Sequence, residues 1–387
     1  MIQKKRLGEI ALLQRGLTYN KGDEVPASSK IVLRSNNIDL ESHSLDLSEL
    51  KYLREDFVIP EDRKVKKDSI FICMSNGSKQ HVGKVAFIDH DMDYAFGGFM
   101  GLIVPKPSIS AKYVFYACNS SSYRTFLSQI GNGIGITNLR FSELEKFEIP
   151  VPPIEEQQRI VDELNLLTGI IDKKNAQLSD LDALAQSIFY EMFGDPSESK
   201  YPVAKLSSLA IGKLSYGSGA SAIDFDGQTR YVRITDIQED GRLSPDAMSP
   251  SQFDAKYLLN DGDILFARSG ATVGKTYLYD SNDGNAIYAG YLIRFIPNRE
   301  IVLPEYIYHF TRSHYYKAFI ASNAQAVAQP NINAQQYGNL NVCVPPISEQ
   351  KLFAEKIHFL ESKRDMIWSS IKDTQILLYS RMSHYFD

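Results

Sequence analysis

Two stretches of the chain carry apolar side chains at intervals that mostly alternate between four and three residues. In the first stretch, residues 154–193, these side chains are Ile160, Leu164, Leu167, Ile171, Leu178, Leu181, Ala185, Ile188 and Met192. The second stretch repeats the register with Phe353, Ile357, Leu360, Ile367, Ile371, Leu378 and Tyr385. So narrow a stripe is a heptad seam, which is typical of helices that pack along one another. The pattern predicts two long helices that pair through these seams.

Both predicted helices open with the same short motif. Val-Pro-Pro-Ile-x-Glu-Gln begins at Val151 and again at Val344, 193 residues later. The Pro-Pro pair marks the start of each helix, and Gly194 with the following Asp-Pro ends the first one. A helix of about 40 residues, rising about 1.5 Å per residue, is roughly 60 Å long.

The regions upstream of the two helices also match each other. DSIFICMSN, from Asp68, lines up with GDILFARSG, from Gly262, and YAFGGFM lines up with IYAGYL. GITNLRF and AQPNIN occupy equivalent places before the two helix-opening motifs. The chain is therefore predicted to be two copies of one unit, each a globular domain of roughly 150 residues followed by a helix.

This repeat sets the expected fold class and domain boundaries. We expect an α+β protein with two mixed α/β domains in a pseudo-twofold repeat, separated by two long antiparallel helices that form a coiled coil. The domains are expected at residues 1–150 and 195–344, and the helices at 151–194 and 345–387. The second domain is built at the far end of the first helix, so the second helix returns along the first. Two similar domains in this arrangement match two half-sites on duplex DNA, which has local twofold symmetry.

GATVGKT, from Gly270 to Thr276, is close to a phosphate-binding loop but lacks its spacing. Such a loop needs four residues between its first Gly and the Gly-Lys pair, and here there are three. The equivalent stretch of the first copy, GSKQHVGKV, has five. TYLYD follows the second copy and has the composition of a strand rather than a helix. The sequence therefore predicts a strand–loop–strand hairpin in each repeat and argues against a nucleotide hydrolase.

Charge is distributed unevenly along a chain whose net charge is −5. Residues 1–150 carry 20 Lys and Arg against 18 Asp and Glu, whereas residues 151–194 carry 3 against 8. If DNA is bound, we expect a partner to supply part of the charge that neutralises the phosphates. The acidic side chains of the first helix form either a solvated face or a surface that docks a partner: Glu155, Glu156, Asp162, Glu163 and Asp172.

The cysteines, histidines and apolar runs narrow the class of protein. Cys73, Cys118 and Cys343 are scattered singly, and the seven histidines show no metal-ligand spacing with one another or with Cys, so no metal site is expected. This cysteine usage favours a reducing cytoplasm. No apolar run has the length of a membrane span, and we expect no membrane association and no signal peptide.

On these motifs the chain resembles the specificity subunits of type I restriction–modification systems, over essentially its whole length. The resemblance is carried by the paired helix-opening motifs, YVRITDI (Tyr231 to Ile237) and GDILFARSG, with weaker versions in VLRSNNI (Val32 to Ile38) and KDSIFI. It implies two target-recognition domains that bind a bipartite sequence of double-stranded DNA, with the helices as a ruler. It also implies two methyltransferase subunits, which methylate adenine at N6, and translocating endonuclease subunits as partners.

The residues agree with a non-catalytic subunit. The chain has no Asn- or Asp-Pro-Pro-aromatic motif to hold a flipped adenine and no Gly-rich cofactor loop. We therefore expect no cofactor, and we expect methyl transfer and strand cleavage to be performed by the partners.

The candidate DNA-contacting residues lie on the hairpins and on the loops that precede the helix-opening motifs. Arg and Lys can bind phosphate or guanine, whereas Asn and Gln suit adenine. The first domain offers Asn76, Ser78, Lys79, Lys84, Asn138 and Arg140, and the second offers Arg268, Ser269, Lys275, Gln329 and Asn331.

Three further positions leave alternatives open. Met74 stands where the second repeat has Arg268, so an Arg contact in the first repeat is expected to be missing or moved to Lys79. Arg34 and Arg233 follow strand-like runs and are either structural or DNA-binding. Because the two domains differ in their loops, we expect two different half-sites and an asymmetric target.

Two other functions also stay open. The chain could be a coiled-coil scaffold whose globular ends bind proteins, which sequence-dependent DNA binding would exclude. It could instead be the recognition subunit of another DNA methylation system, which the neighbouring genes would reveal.

Overall fold

A computed structural model describes residues 3–40, 42–130, 137–324 and 330–387 of the chain. The chain divides into two compact units, the first made of Met1–Lys173 with Ser370–Asp387 and the second of Lys174–Ser369. Each unit therefore includes a part of both long helices.

The first unit is a mixture of short strands and helices. Its strands are β1 Lys4–Arg6, β2 Ala11–Arg15, β3 Glu24–Val25, β4 Lys30–Leu33, β5 Lys51–Leu53, β6 Ser69–Cys73, β7 Val85–Ile88, β8 Tyr94–Phe96, β9 Met100–Pro105 and β10 Glu148–Pro150. Its helices are α1 Leu7–Ile10, α2 Ala111–Ala117, α3 Ser121–Ile130, α4 Phe141–Leu144 and the first part of α5, Ile154–Phe193.

A four-stranded antiparallel sheet, in the order β2-β9-β6-β7, organises this unit. All five residues of β6 are buried. Successive side chains of a strand point to opposite faces of the sheet. Accordingly, Ile70 and Ile72 join the apolar cluster that contains α2, whereas Phe71 and Cys73 join a second cluster on the other face. Burial on both faces explains why this strand reads as a continuous apolar run.

The second unit repeats the same kinds of element. Its strands are β11 Val203–Lys205, β12 Ser215–Tyr216, β13 Ala222–Asp224, β14 Arg230–Val232, β15 Met248–Pro250, β16 Ile264–Ala267, β17 Thr276–Leu278, β18 Ala286–Tyr288, β19 Leu292–Phe295 and β20 Asn341–Cys343. Its helices are α6 Pro304–Phe310, α7 His314–Ala324, α8 Ala334–Gly338 and the first part of α9, Ile347–Phe386, together with the end of α5.

The central sheet of the second unit has the order β12-β19-β16-β17, which is the equivalent order. β16 pairs with β17 as β6 pairs with β7, both antiparallel. In both units one further pair is parallel, β4 with β8 and β14 with β18. The predicted strand–loop–strand hairpins are therefore confirmed, and GATVGKT leads into the strand β17 rather than a helix.

Both predicted long helices are present, and each has 40 residues. The buried seam needs one correction near the end of α5. There Phe189 and Phe193 are the most buried side chains, at 0% and 3% exposure, whereas Ile188 and Met192 are only partly buried. The reason is that this end of α5 packs its aromatic face against Tyr306 of α6, with ring centroids 5.6 and 4.9 Å from those of the two phenylalanines.

A buried glutamine fixes the start of each long helix. Gln157 Oε1 accepts the N–H of Ser110 at 2.9 Å, and its Nε2 donates to the carbonyl of Pro152 at 2.8 Å. Gln350 makes the equivalent bonds to the N–H of Leu303 and the carbonyl of Pro345, both at 2.8 Å. The glutamine of the Val-Pro-Pro-Ile-x-Glu-Gln motif therefore ties the proline turn to the domain, which gives the motif a structural explanation.

All three cysteines are buried thiols. Burial raises the pKa of Cys73 to about 11 and that of Cys118 to about 12, so both stay protonated and serve as packing residues. Within the described ranges, no helix combines the length and apolar character needed to cross a lipid bilayer.

Candidate nucleic-acid interface

In the first unit, the end of β6 meets the loop that precedes α4. Ser75 and Asn138 pair as an isolated antiparallel bridge. On one side of this bridge the N–H of Leu139 donates to the carbonyl of Met74 at 2.7 Å. On the other side the N–H of Asn76 donates to the carbonyl of Thr137 at 3.1 Å. The structure thus brings the candidates Asn76 and Asn138 together at a site that we call the first junction, residues 74–76 with 137–139.

The second unit builds the same contact. Ser269 and Asn331 form the equivalent bridge. The N–H of Ile332 donates to the carbonyl of Arg268 at 2.8 Å, and the N–H of Gly270 donates to the carbonyl of Pro330 at 3.0 Å. Three candidates, Arg268, Ser269 and Asn331, therefore share the second junction, residues 268–270 with 330–332.

The first junction forms one wall of a surface cleft of about 520 Å³. Side chains from four separate parts of the sequence line this first cleft, including Arg15, Met74, Asn76, Phe99, Asn138 and Phe141. The cation in the first cleft is Arg15, whereas Lys79 lies exposed on the short 3-10 turn Lys79–His81. β2 therefore brings an arginine to this place, and a DNA contact by Lys79 stays a prediction.

An exposed aromatic side chain stands beside each junction, and neither was among the residues predicted from the sequence. Phe99 is 72% exposed and Tyr291 is 61% exposed. The carbonyl of Phe99 accepts the N–H of Met74 at 2.9 Å, and the carbonyl of Tyr291 accepts the N–H of Arg268 at 3.1 Å. Their signal in the sequence is an aromatic residue directly after a Gly in the aligned stretches YAFGGF and YAGY.

Glycine allows the edge strand to approach this aromatic turn. A Cβ on Gly16 would lie 2.0 Å from the carbonyl oxygen of Gly97, and one on Gly217 would lie 2.3 Å from that of Tyr288. Only glycine lets two backbones come so close. These contacts hold the preceding residues, Arg15 and Tyr216, beside the junctions.

The two lysines of the Val-Gly-Lys turns make main-chain contacts instead of facing the junctions. Lys84 Nζ donates to the carbonyl of Ile38 at 2.7 Å, and burial lowers its pKa. Lys275 Nζ donates to the carbonyl of Ile237 at 3.3 Å and lies 2.8 Å from a carboxylate oxygen of Glu239. Lys275 lines a separate cleft of about 410 Å³. Each lysine links its hairpin to the loop that follows a parallel strand. A DNA contact by either lysine stays a prediction.

The remaining candidates of the first domain divide into turn-forming and exposed residues. Asn76 Nδ2 donates to Ser35 Oγ at 2.8 Å, and its Oδ1 accepts the N–H of Ser78 at 2.8 Å. Ser78 is exposed, as is Arg140, which directly precedes α4. Gln329 of the second domain lies outside the described residues.

Both arginines that follow strand-like runs have acidic partners. Arg233 Nη2 donates to Asp236 Oδ1 at 2.6 Å, and the backbone N–H of Arg233 donates to the same carboxylate at 2.9 Å. Arg34 Nη2 lies 3.7 Å from Glu49 Oε1, and its N–H donates to Asn37 Oδ1 at 2.8 Å. These contacts support the structural interpretation of both residues.

The acidic face of α5 is partly engaged within the chain. Glu163 accepts hydrogen bonds from Arg381 and, at 2.6 Å, from Tyr385 Oη, both on α9. Glu156 accepts from Arg159 Nη2 at 2.6 Å. Glu163 therefore serves helix pairing in the first unit, and Glu155 and Asp172 are among the exposed acidic residues of this face.

Comparison with known proteins assigns a family to this repeated architecture. The family model described as type I restriction modification DNA specificity domain matches residues 2–181 and 210–371. The StySPI type I specificity subunit of Salmonella potsdam is 24% identical over 391 residues, which cover 94% of this chain and 83% of that protein. The EcoKI type I specificity subunit of Escherichia coli K12 is 24% identical over 384 residues, covering 93% and 80%.

A solved structure shares the fold. The S subunit of a type I restriction–modification system from M. genitalium matches with a TM-score of 0.52, covering 100% of this chain and 96% of its own, at 15% identity. That identity supports the likeness of fold alone, whereas the family match extends through both repeats. The chain belongs to the type I restriction–modification DNA specificity family.

Proposed function

We propose that this chain is the DNA-recognition subunit of a type I restriction–modification enzyme, and that each junction reads one half of a bipartite target. The observation that carries the proposal is the repetition of one construction with different side chains. In each unit a strand end and a loop meet in an antiparallel bridge beside an exposed aromatic residue. Membership in the DNA specificity family supports DNA as the ligand.

The side chains at the two junctions favour different base pairs. The first junction presents the exposed Asn138, and asparagine can pair with both the N6 and N7 atoms of adenine. The second presents Arg268 and Asn331, and arginine is suited to the O6 and N7 atoms of guanine. We therefore propose two unlike half-sites and an asymmetric target.

The long helices fit the role of a spacer. Glu163 of α5 contacts Arg381 of α9 in the first unit, and Asp182 of α5 pairs with Arg364 of α9 in the second. The later residue of α5 contacts the earlier residue of α9, which supports antiparallel pairing. We propose that α5 and α9 form a coiled coil that fixes the number of base pairs between the half-sites.

This assignment keeps the predicted domain boundaries. Residues 1–150 and 195–344 are the target-recognition domains, and residues 151–194 and 345–387 are the spacer helices. We propose that the chain itself performs no catalysis and works in the cytoplasm with two methyltransferase subunits and with endonuclease subunits. Its relatives are named as specificity subunits of type I restriction enzymes, which supports such a complex.

Selection of DNA from a random duplex library tests the proposal. The full chain, purified with the methyltransferase encoded beside it, is expected to enrich two short sequences at one fixed separation. The methyltransferase alone is the control and is expected to enrich none. A selection in which no sequence is enriched would reject the proposal and favour a coiled-coil scaffold that binds proteins.

A further inference from the structure

The two repeats deliver a guanidinium to each junction, but from different strands of the sheet. Arg15 of β2 pairs with Gly101, which also faces Ile72 on the central strand. In the second unit, Tyr216 of β12 occupies the position in the sheet that is equivalent to that of Arg15. Two residues beyond Ile72, the central strand has Met74, where the second repeat has Arg268. The edge strand therefore supplies the cation in the first unit, and the central strand supplies it in the second.

Each of these arginines packs over an aromatic ring. Arg15 Cζ lies 5.8 Å from the ring centroid of Phe141, and Arg268 Cζ lies 4.9 Å from that of Tyr216. Arg268 Nε also donates to Asn331 Oδ1 at 3.3 Å. Among the described residues, neither guanidinium has a carboxylate partner. A ring that supports the flat face of a guanidinium leaves its N–H edges available to a ligand.

The lysines of the Val-Gly-Lys turns are less suited to this task. Lys84 and Lys275 are bound to main-chain carbonyls at 2.7 and 3.3 Å. The same contacts recur in both repeats, so they explain a shared scaffold and not a difference in target. The position of the guanidinium, in contrast, is a feature that differs between the repeats.

We propose that Arg15 is a base-reading residue for the first half-site and Arg268 for the second. This inference rests on the proposed function. A guanidinium that packs near a ring and has no carboxylate partner keeps N–H groups available to donate two parallel hydrogen bonds to the O6 and N7 atoms of a guanine in the major groove. Because the two arginines belong to different strands of the sheet, we expect them to address different positions within their half-sites.

The test measures the affinity of the complex of the full chain with its methyltransferase for duplexes that carry the selected target with one base pair changed at a time. Arg15→Ala is expected to reduce discrimination at one position of the first half-site by ~10- to 100-fold. It should leave every position of the second half-site unchanged, and Arg268→Ala should do the converse. Arg15→Lys keeps the charge but loses the fork, so it should lose the same discrimination.

Two further variants sharpen the result. Arg54 is an exposed arginine of the first unit that lies 3.3 Å from Asp23, and Arg54→Ala should preserve discrimination at every position. Arg15→Tyr combined with Met74→Arg builds the second arrangement in the first unit. It should move the arginine-dependent position to another base pair of the first half-site.

Several outcomes would overturn the inference. If Arg15→Ala weakens binding to all duplexes equally and lowers the dependence on salt, Arg15 contacts phosphate and does not read a base. Unchanged discrimination would likewise exclude it from readout. If the wild-type complex itself shows no sequence preference, the proposed function fails together with the inference, and that result is distinct from the other two.

Discussion

The two repeats fill one pair of buried positions in the central sheet in different ways. In the second unit Arg294 Nη2 lies 2.5 Å from Asp263 Oδ2, and the side chains are 7% and 2% exposed. Burial raises the pKa of Asp263, although the N–H of Asn260 donates to the same carboxylate at 2.6 Å. In the strand register of the first unit, Leu102 and Ser69 stand at these positions. The fold therefore tolerates the site with or without an ion pair.

We predict that Arg294→Leu alone destabilises the second unit by about 3–5 kcal/mol, because it leaves a buried carboxylate without its cation. The double variant with Asp263→Ser reproduces the first repeat and should cost much less. Urea unfolding of the single and double variants measures the coupling between the two positions. If the cost of the double variant equals that of the two single variants together, the two side chains are not coupled and the explanation is wrong.

Burial of His309 makes the stability of the fold sensitive to acid. His309 is 7% exposed, and burial lowers its pKa from 6.5 to about 3. The unfolded chain takes up a proton near the ordinary pKa of 6.5, whereas the folded chain does not, so His309 destabilises the fold progressively below that pH. Relative to His309→Gln, the wild type should lose about 2–3 kcal/mol between about pH 6.5 and about pH 4.5.

Unfolding by urea at several pH values measures this difference. His90→Gln is the control, because His90 is exposed, and its pH profile should follow that of the wild type. Parallel profiles for the wild type and His309→Gln would show that His309 does not contribute to acid sensitivity.

At the scale of residues, the sequence identified the loops of the candidate site but not all of its side chains. Asn138, Arg268 and Asn331 were predicted because they are polar residues in aligned loops. Arg15 and Phe99 lie far from Met74 in sequence, and only the pairing of β2 with β9 and of β9 with β6 brings them together. Lys84 was selected for its charge, whereas its contact with the carbonyl of Ile38 depends on the folded structure.

Among the structural elements, the start of each long helix depends on a single amide. Besides its bonds to Leu303 and Pro345, Gln350 Nε2 donates to the carbonyl of Ile301 at 3.1 Å. Gln350→Met would fill the space but leave these buried backbone groups without partners. We predict a loss of about 2–4 kcal/mol in the free energy of unfolding.

In the first repeat, the glutamine that follows Gln157 provides a control. Gln158 is exposed and bonds only to Asp162 among the described residues, at 2.8 Å. Gln158→Met should change stability by less than about 0.5 kcal/mol. Equal losses for Gln158→Met and Gln350→Met in urea unfolding would contradict the role assigned to the buried amide.

The helices were the elements that the sequence predicted best. The expected spans, residues 151–194 and 345–387, end within one residue of Phe193 and Phe386, where the structure ends α5 and α9. The predicted seam was off by one residue near the end of α5, because Phe189 and Phe193 pack against the second unit's own core. Heptad spacing describes helix–helix contact and carries no information about an aromatic cluster from elsewhere in the chain.

At the scale of the whole molecule, the repeat separates what is shared from what differs. The order of the central sheet, the parallel strand pair and the buried glutamine recur in both units. Arg15 and Met74 of one unit, in contrast, correspond to Tyr216 and Arg268 of the other. We infer that the shared features maintain the scaffold and that the differing features set two half-sites.

A map of N6-methyladenine across the genome of a host without other adenine methylation shows directly whether the two units each read half of the target. The chain is expressed with its neighbouring methyltransferase, and the methyltransferase alone is the control. The account predicts a bipartite, asymmetric motif with a fixed spacer that disappears when this chain is omitted. A single continuous motif, or the same methylation without this chain, would contradict the claim that its two units each read half of the target.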